Sequence, residues 1–345
     1  MLRFRFAAVV FVFVSSAAIL GFKVSDPAGL QMKTFADSFL ESLNEKERSL
    51  ATMPFDSPQR VGWHFIPKDD RKGMPLNQMN TAQQAAARRL LRAALSEAGY
   101  TKATKIMMLE SVLRELEGPG SEARRDPLKY YVTIFGKPSN EQPWGLSFEG
   151  HHLSLNFTCR EGKVVDSTPQ FFAANPATIQ NDVSGPLTKG TRVLRDEEQL
   201  AFDLVNSLND SQLELALIAE EAPAEIRFAG EAQSRVGDPE GIAQRRMNAK
   251  QQKTLMALIQ SYIDAMPETV RKQRTEIMTV GGVENIRFAW AGARKPGVGH
   301  YYKVRGEQFL IEFVNTQADA AGNPANHIHC VWRDLTGDFD LPIGE

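Results

Sequence analysis

The feature that most constrains this fold is an internal repeat. Met79-Asn-Thr-Ala-Gln-Gln84 returns as Met247-Asn-Ala-Lys-Gln-Gln252 with four of six positions identical, and each copy opens a helical stretch with an asparagine where an N-cap belongs. Further on, Val132 to Phe157 aligns without a gap on Phe288 to Phe313. That alignment matches Gly136 with Gly292, Gly150 with Gly306 and Phe157 with Phe313, and the apolar Phe148, Leu153 and Leu155 with Val304, Phe309 and Ile311. The offset falls from 168 to 156 between the two blocks, so the connecting segments differ by 12 residues. Two copies of a helical segment plus strand hairpin account for this, against chance similarity of two amphipathic patterns.

Strand groups separated by helical blocks imply an α+β fold. A mixed or antiparallel sheet with helical layers is expected, rather than a doubly wound parallel sheet. The repeat places related halves at about 75–170 and 245–335 inside one globular domain over 23–345. Helical spacing of Phe35, Phe39, Leu40 and Leu43 predicts a helix over about Leu30 to Ala51, ended by Pro54. Val61 to Pro67 reads as a short strand closed by proline, and Ser167 to Pro186 as a loop between the copies. Asp196–Leu208 and Asp210–Glu221 read as a helical pair with acidic starts.

At the N-terminus, Arg3 and Arg5 precede an apolar run from Phe6 to Val14, followed by Ser15, Ser16, Ala17 and Ala18. That is the order of a secretory signal, so residues 1–22 are expected to direct export to the periplasm or exterior, with a mature N-terminus between Ile19 and Lys23. Ile19 to Phe22 prolong the apolar stretch to 17 residues, which leaves an uncleaved anchor as the alternative and is the only way a membrane would enter. Forty basic residues against 42 acidic ones, scattered along the chain, provide no footprint for nucleic acid, so the expected partner is a small molecule.

Six histidines occur, and four fall in Glu149-Gly-His-His152 and Asn326-His-Ile-His329. Alternation puts Leu153, Leu155, Phe157 and Cys159 on one face of a strand and His152, Ser154, Asn156 and Thr158 on the other. In the last strand Ile328, Cys330 and Trp332 form the apolar set, opposite His327, His329 and Arg333. If both strands share a sheet, His152, His327 and His329 meet on one side and both cysteines lie in the core. Three convergent imidazoles suit a divalent transition metal, zinc ahead of iron or copper, while a polar pocket or solvated face is the competing account. Glu312 has the outward parity and is a possible carboxylate ligand. Glu149 and His151 have the core parity but flank Gly150, where a bulge could bring them to the metal. His64, between two aromatics, and His300, at a strand start, read as structural.

Parity also argues against a catalytic thiol, and a buried pair, reduced or oxidised, is the expected state of Cys159 and Cys330. Asn156-Phe-Thr158 fits a glycosylation sequon but lies on a strand. The chain has no Gly-x-Ser-x-Gly elbow, Walker loop, Gly-x-Gly-x-x-Gly or His-Glu-x-x-His segment.

Trp144, Glu149-Gly-His-His-Leu-Ser-Leu-Asn-Phe157, Phe171-Phe-Ala-Ala-Asn-Pro176 and Asn326-His-Ile-His-Cys-Val-Trp-Arg-Asp334 resemble the landmarks of the domain of unknown function 3500 family. The resemblance spans nearly all of the chain after the signal segment. It implies an exported protein and carries over no activity; relatives are expected to have a small residue such as serine where Cys330 stands. The reading that follows is an exported metal-dependent hydrolase in which His152, His327 and His329 hold the metal, supported by His151, Glu149 or Glu312. Glu149 serves as general base and Arg333 as the oxyanion or substrate contact. Two alternatives stand beside it. One is an iron or copper oxidoreductase. The other is a non-catalytic sugar or small-molecule binder with Trp144, Trp332, Tyr301 and Tyr302 in its groove.

Overall fold

A computed structural model describes residues 28–235 and 237–343, so the signal-like segment lies outside the described residues. The chain is α+β, and its repeat extends further than the sequence indicates. The first half runs α1 (Ala28–Ser42), α2 (Glu45–Ala51), β1 (Thr52–Met53), β2 (Met74–Pro75), α3 (Thr81–Ala94), α4 (Glu97–Glu117), β3 (Tyr130–Phe135), β4 (Trp144–Gly150) and β5 (Leu153–Arg160). After β6 (Lys163–Asp166) and β7 (Gln170–Ala174) the same order returns. It runs α5 (Arg195–Asn206), α6 (Asp210–Ala216), β8 (Leu217–Ala219), β9 (Ile242–Ala243), α7 (Ala249–Ile263), α8 (Glu268–Val280), β10 (Arg287–Gly292), β11 (His300–Arg305) and β12 (Phe309–Asn315), closed by β13 (Ile328–Asp334).

All the strands form one mixed, largely antiparallel sheet, ordered β1-β3-β4-β5-β7-β13-β12-β11-β10-β8. β1 lies parallel to β3 as β8 does to β10, and β2 flanks β3 as β9 flanks β10. The halves meet where β7 pairs antiparallel with β13. Register bears out the gapless alignment: Val132 faces Phe148 as Phe288 faces Val304, and Leu146 faces Phe157 as Tyr302 faces Phe313.

The repeated Met-Asn-x-x-Gln-Gln string has a physical reason. Asn80 and Asn248 accept from the backbone N–H of Gln83 and Gln251, whose side chains accept in return from the cap N–H, forming a capping box in each half. The same glutamines donate outward, Gln83 to the Ser42 carbonyl and Gln251 to the Ser207 carbonyl, tying α3 to the end of α1 and α7 to the end of α5. Gln84 and Gln252 donate back to the carbonyls of Met79 and Met247. Gly73 and Gly241 match as well. Both have left-handed φ (+97° and +95°), and a Cβ on either would press within 2.7 Å of the Val132 carbonyl oxygen or 2.3 Å of that of Phe288.

Four expectations about elements need correction. The predicted helix over Leu30–Ala51 is two helices, because Asn44 accepts from Glu47 N–H and caps a new start. The predicted Asp210–Glu221 helix ends at Ala216 and continues as β8. Val61–Pro67 is no strand: it belongs to a strap crossing the sheet, with Trp63 and Phe65 packed against Phe171. The predicted Ser167–Pro186 loop hides β7 at the sheet centre. Gln170-Phe-Phe-Ala-Ala174 buries both faces and so shows no alternation. One face of the sheet is covered by the helices over a core that includes Cys159, Phe172, Phe313, Cys330 and Trp332. The other lies beneath the 61–71 strap and the 222–234 loop, with Trp63, Phe65, Phe171, Tyr301 and Val331 packed there. Among the described residues no helix is long and apolar enough to cross a membrane.

Candidate metal centre

His152 reaches the site from a turn, not from a strand. Gly150 pairs with Leu153, leaving His151 and His152 as the two-residue hairpin loop between β4 and β5, with His152 at φ +64°. Its backbone is anchored on both sides, N–H to the Phe65 carbonyl at 2.8 Å and carbonyl to the Ala173 N–H at 2.9 Å. The last two histidines come from the other half of the repeat. His329 lies on β13 opposite Val314, on the strap-covered face, and His327 immediately precedes the strand.

These three rings converge, so that one nitrogen from each lies within 4.8 Å of the others and the group could hold a metal ion. His327 Nε2 stands 2.8 Å from His152 Nε2 and 3.0 Å from His329 Nε2. An imidazole nitrogen carries one in-plane proton or one lone pair, so His327 Nε2 can satisfy only one of its two neighbours by hydrogen bonding. A cation at the centre would accept all three lone pairs and remove that conflict. The far side of His329 is fixed: its Nδ1 lies 2.7 and 2.9 Å from the two carboxylate oxygens of Glu225, which makes Nδ1 the protonated nitrogen and leaves Nε2 as a lone pair. Phe65 and Phe171 stand edge-on to the His329 ring and stack on each other, closing the floor.

Electrostatics favour neutral rings at His152 and His327. Burial, then the neighbouring imidazoles, holds His152 well below the ordinary histidine range, and the same causes push His327 down to about 2. Burial also lowers His151, against the opposing pull of Glu110.

The remaining predicted site residues are placed elsewhere. His151 stacks on His152 with ring centroids 3.7 Å apart, but its Nδ1 turns to the buried Glu110 of α4 and to Arg125. Glu149 sits opposite Ser154, on the strap-covered face and not at the core parity expected of it. Its carboxylate is taken by Lys72 at 2.7 Å and Arg71 at 3.4 Å. Glu312 has its expected outward parity but accepts from Tyr301 Oη and lies 3.9 Å from Arg227. Arg333 donates to Asp338 and to the carbonyls of Phe228 and Glu231, pinning the 222–234 loop. None of the four joins the triad.

Trp144, Trp332 and Tyr302 pack in the helix-side core, and Tyr301 lies buried on the strap side. His300 is buried between the Val298 carbonyl and Glu198, and His64 accepts from the backbone N–H of Phe65. Both cysteines are free and buried on the helix side, as parity indicates. Burial raises the Cys159 thiol to about 12 and Cys330 further. Asn156 of the sequon is 3% exposed, too little for a glycan to be seated on this folded surface.

Three residues around the triad escape sequence reading. Glu225 lies in the coil after Glu220-Glu221-Ala-Pro-Ala, Glu110 lies mid-helix, and Asn175 lies beyond β7; no spacing ties them to the histidines. Asn175 could have been suspected only through the Phe171-Phe-Ala-Ala-Asn-Pro176 string.

No curated protein and no solved structure matches the chain. The family described as protein of unknown function (DUF3500) matches residues 28–341, nearly the whole of the described chain, and the protein belongs to that family.

Proposed function

We propose that His152, His327 and His329 bind one divalent transition metal, zinc first, and that the exported protein uses it to activate water for hydrolysis of a small molecule. The observation that carries the reading is the approach of three Nε2 atoms to one point, with Glu225 holding the outer nitrogen of His329. Three imidazoles with an open fourth position form a zinc set that lowers the pKa of bound water to about 7. His327 is the partly exposed member, so solvent reaches the group from its side. Glu149 and Arg333 have no part in this reading, because each is already paired with other groups. A metal held by His152, His327 and His329 would supply the acidification of water, so the reading asks no carboxylate to contact the three rings on their inner side.

Elemental analysis of the protein purified without added metal tests the reading, together with zinc titration of single alanine variants at His152, His327 and His329. Near-stoichiometric metal, lost to chelator and weakened in all three variants but not in His64→Ala or His300→Ala, supports it. Equal affinity across all six proteins overturns it. N-terminal sequencing tests the export part separately.

A further inference from the structure

We infer that Asn175 holds His327 through its side-chain carbonyl and thereby fixes the tautomer that aims the Nε2 lone pair into the centre; the role of that lone pair rests on the metal reading above. Three observations lead there.

The Asn175 amide faces His327 Nδ1, with its nitrogen 3.3 Å away, while its Oδ1 is buried without any partner. An amide's oxygen and nitrogen are interchangeable in shape, and the hydrogen-bond network decides between them. Exchanging them turns the oxygen onto Nδ1–H, the arrangement that a lone pair at Nε2 requires, and leaves the amide nitrogen in the buried position.

His327 Nε2 faces the other two imidazoles, and the metal reading requires its lone pair there, which places the ring proton on the outer Nδ1. An amide N–H cannot donate to a nitrogen that already carries a proton. Its carbonyl can accept from it.

The segment carrying Asn175 is also bound to the segment carrying His327. Asn326 exchanges hydrogen bonds with Thr178, accepting from its N–H at 2.8 Å and donating to its carbonyl at 2.9 Å, and its own carbonyl accepts from Ala177 N–H at 2.8 Å. Asp319 accepts from the same Asn326 side chain at 2.7 Å. The first residue of Asn326-His-Ile-His329 therefore sets the distance between Asn175 and the histidine next to it. His327 is then treated as His329 is, with an oxygen acceptor on the outer nitrogen and a lone pair inward.

Asn175 is a positioning residue, and its test reads the tautomer directly. Ring nitrogen-15 spectra of the metal-free full chain, with His327 assigned through His327→Gln, should show His327 protonated at Nδ1. That state should persist in Asn175→Asp, which keeps the acceptor, and move toward Nε2–H in Asn175→Leu. Zinc affinity, measured by chelator competition, should stay within a few-fold of wild type in Asn175→Asp and fall roughly 10–100-fold in Asn175→Leu. An Nε2–H tautomer in the wild type overturns the inference even if zinc binds tightly. So does an unchanged tautomer in Asn175→Leu. If Asn175→Leu fails to fold, the wild type and Asn175→Asp decide alone, since an Asp variant with Nε2–H also refutes it. Failure of zinc to bind any of these proteins sinks the metal reading and leaves the tautomer result to stand or fall separately.

Discussion

Metal-free protein should lose stability in acid, in an amount traceable to His327. The ring is held neutral down to about 2, chiefly by burial and then by the charge His329 and His151 would place beside it. An unfolded histidine titrates near 6.5, so below that pH the unfolded chain takes up a proton that the folded chain refuses. Stability is therefore fully present above about 6.5 and falls as pH drops below it. At about pH 5.0 the gap is about 1.5 pH units on the unfolded side, worth about 2 kcal/mol at 1.36 kcal/mol per unit; partial exposure of the ring makes this an upper value. His152 and His151 are lowered for the same first cause and add loss of the same sign. Urea unfolding of chelator-treated wild type and His327→Gln at about pH 7.5 and about pH 5.0 isolates the term. Wild type should lose up to about 2 kcal/mol more than the variant across that interval. Equal losses would show that His327 titrates normally in the folded state and would refute the burial argument.

Other variants give separate checks. Glu225→Gln should weaken zinc about 10–100-fold by chelator competition while leaving the urea midpoint nearly unchanged, because Glu225 touches the centre only through His329 Nδ1 and its side chain is one-third exposed. Arg333→Ala should cost about 3–5 kcal/mol in urea unfolding, since it strands the fully buried Asp338 carboxylate and releases two loop carbonyls. Cys159→Ser and Cys330→Ser should leave metal content unchanged by elemental analysis, and neither thiol should react with iodoacetamide in the native protein, because both are buried with raised pKa.

The extent to which the site is legible in the sequence follows from the range of each signal. Parity assigns His329, Glu312, Arg333 and Cys330 to their faces because β12 and β13 are regular strands, and Cys159 because β5 keeps an unbroken register with β4. It reaches the right place for His152 by the wrong route, since the residue is in a turn and the turn, not alternation, delivers its ring. For Glu149 parity fails, and the reason is local. The two-residue turn reverses the chain after Gly150, so Glu149 falls opposite Ser154 and shares its polar face, whereas counting straight through the turn puts it with Leu153 and Leu155. The strap over Val61–Arg71 and the Glu225 contact join residues far apart in sequence through irregular backbone, which has no period to read. The repeat is legible only where its copies keep the capping box and the hairpin; α1 and α5 diverge in sequence and match by position alone.

The duplication also explains why the centre sits where it does and why the described residues contain one such histidine group. β7 and β13 pair across the middle of the sheet, so the β4–β5 turn of the first half approaches the start of β13 from the second. His152 thus belongs to one copy, His327 and His329 to the other, and a metal held by all three would tie the halves at their junction. The matching turn of the second half, between Gly306 and Phe309, reads Glu307-Gln308 in place of His151-His152, and β7 has no histidine where β13 has His329. The opposite end of the central pair is furnished instead with Arg333 and Arg60, which donate to backbone carbonyls, and with Asp338, whose carboxylate accepts from Arg333 and from the Asp334 N–H. Two equivalent positions arise from the repeat, and their chemistry divides: an ionic clamp closes one end, while the other turns three imidazole nitrogens toward one another. Stability alone would be served by the same clamp at both ends. The side that forgoes it, where three ring nitrogens face one another at 2.8 and 3.0 Å, is the side where the proposed metal would supply the missing partner.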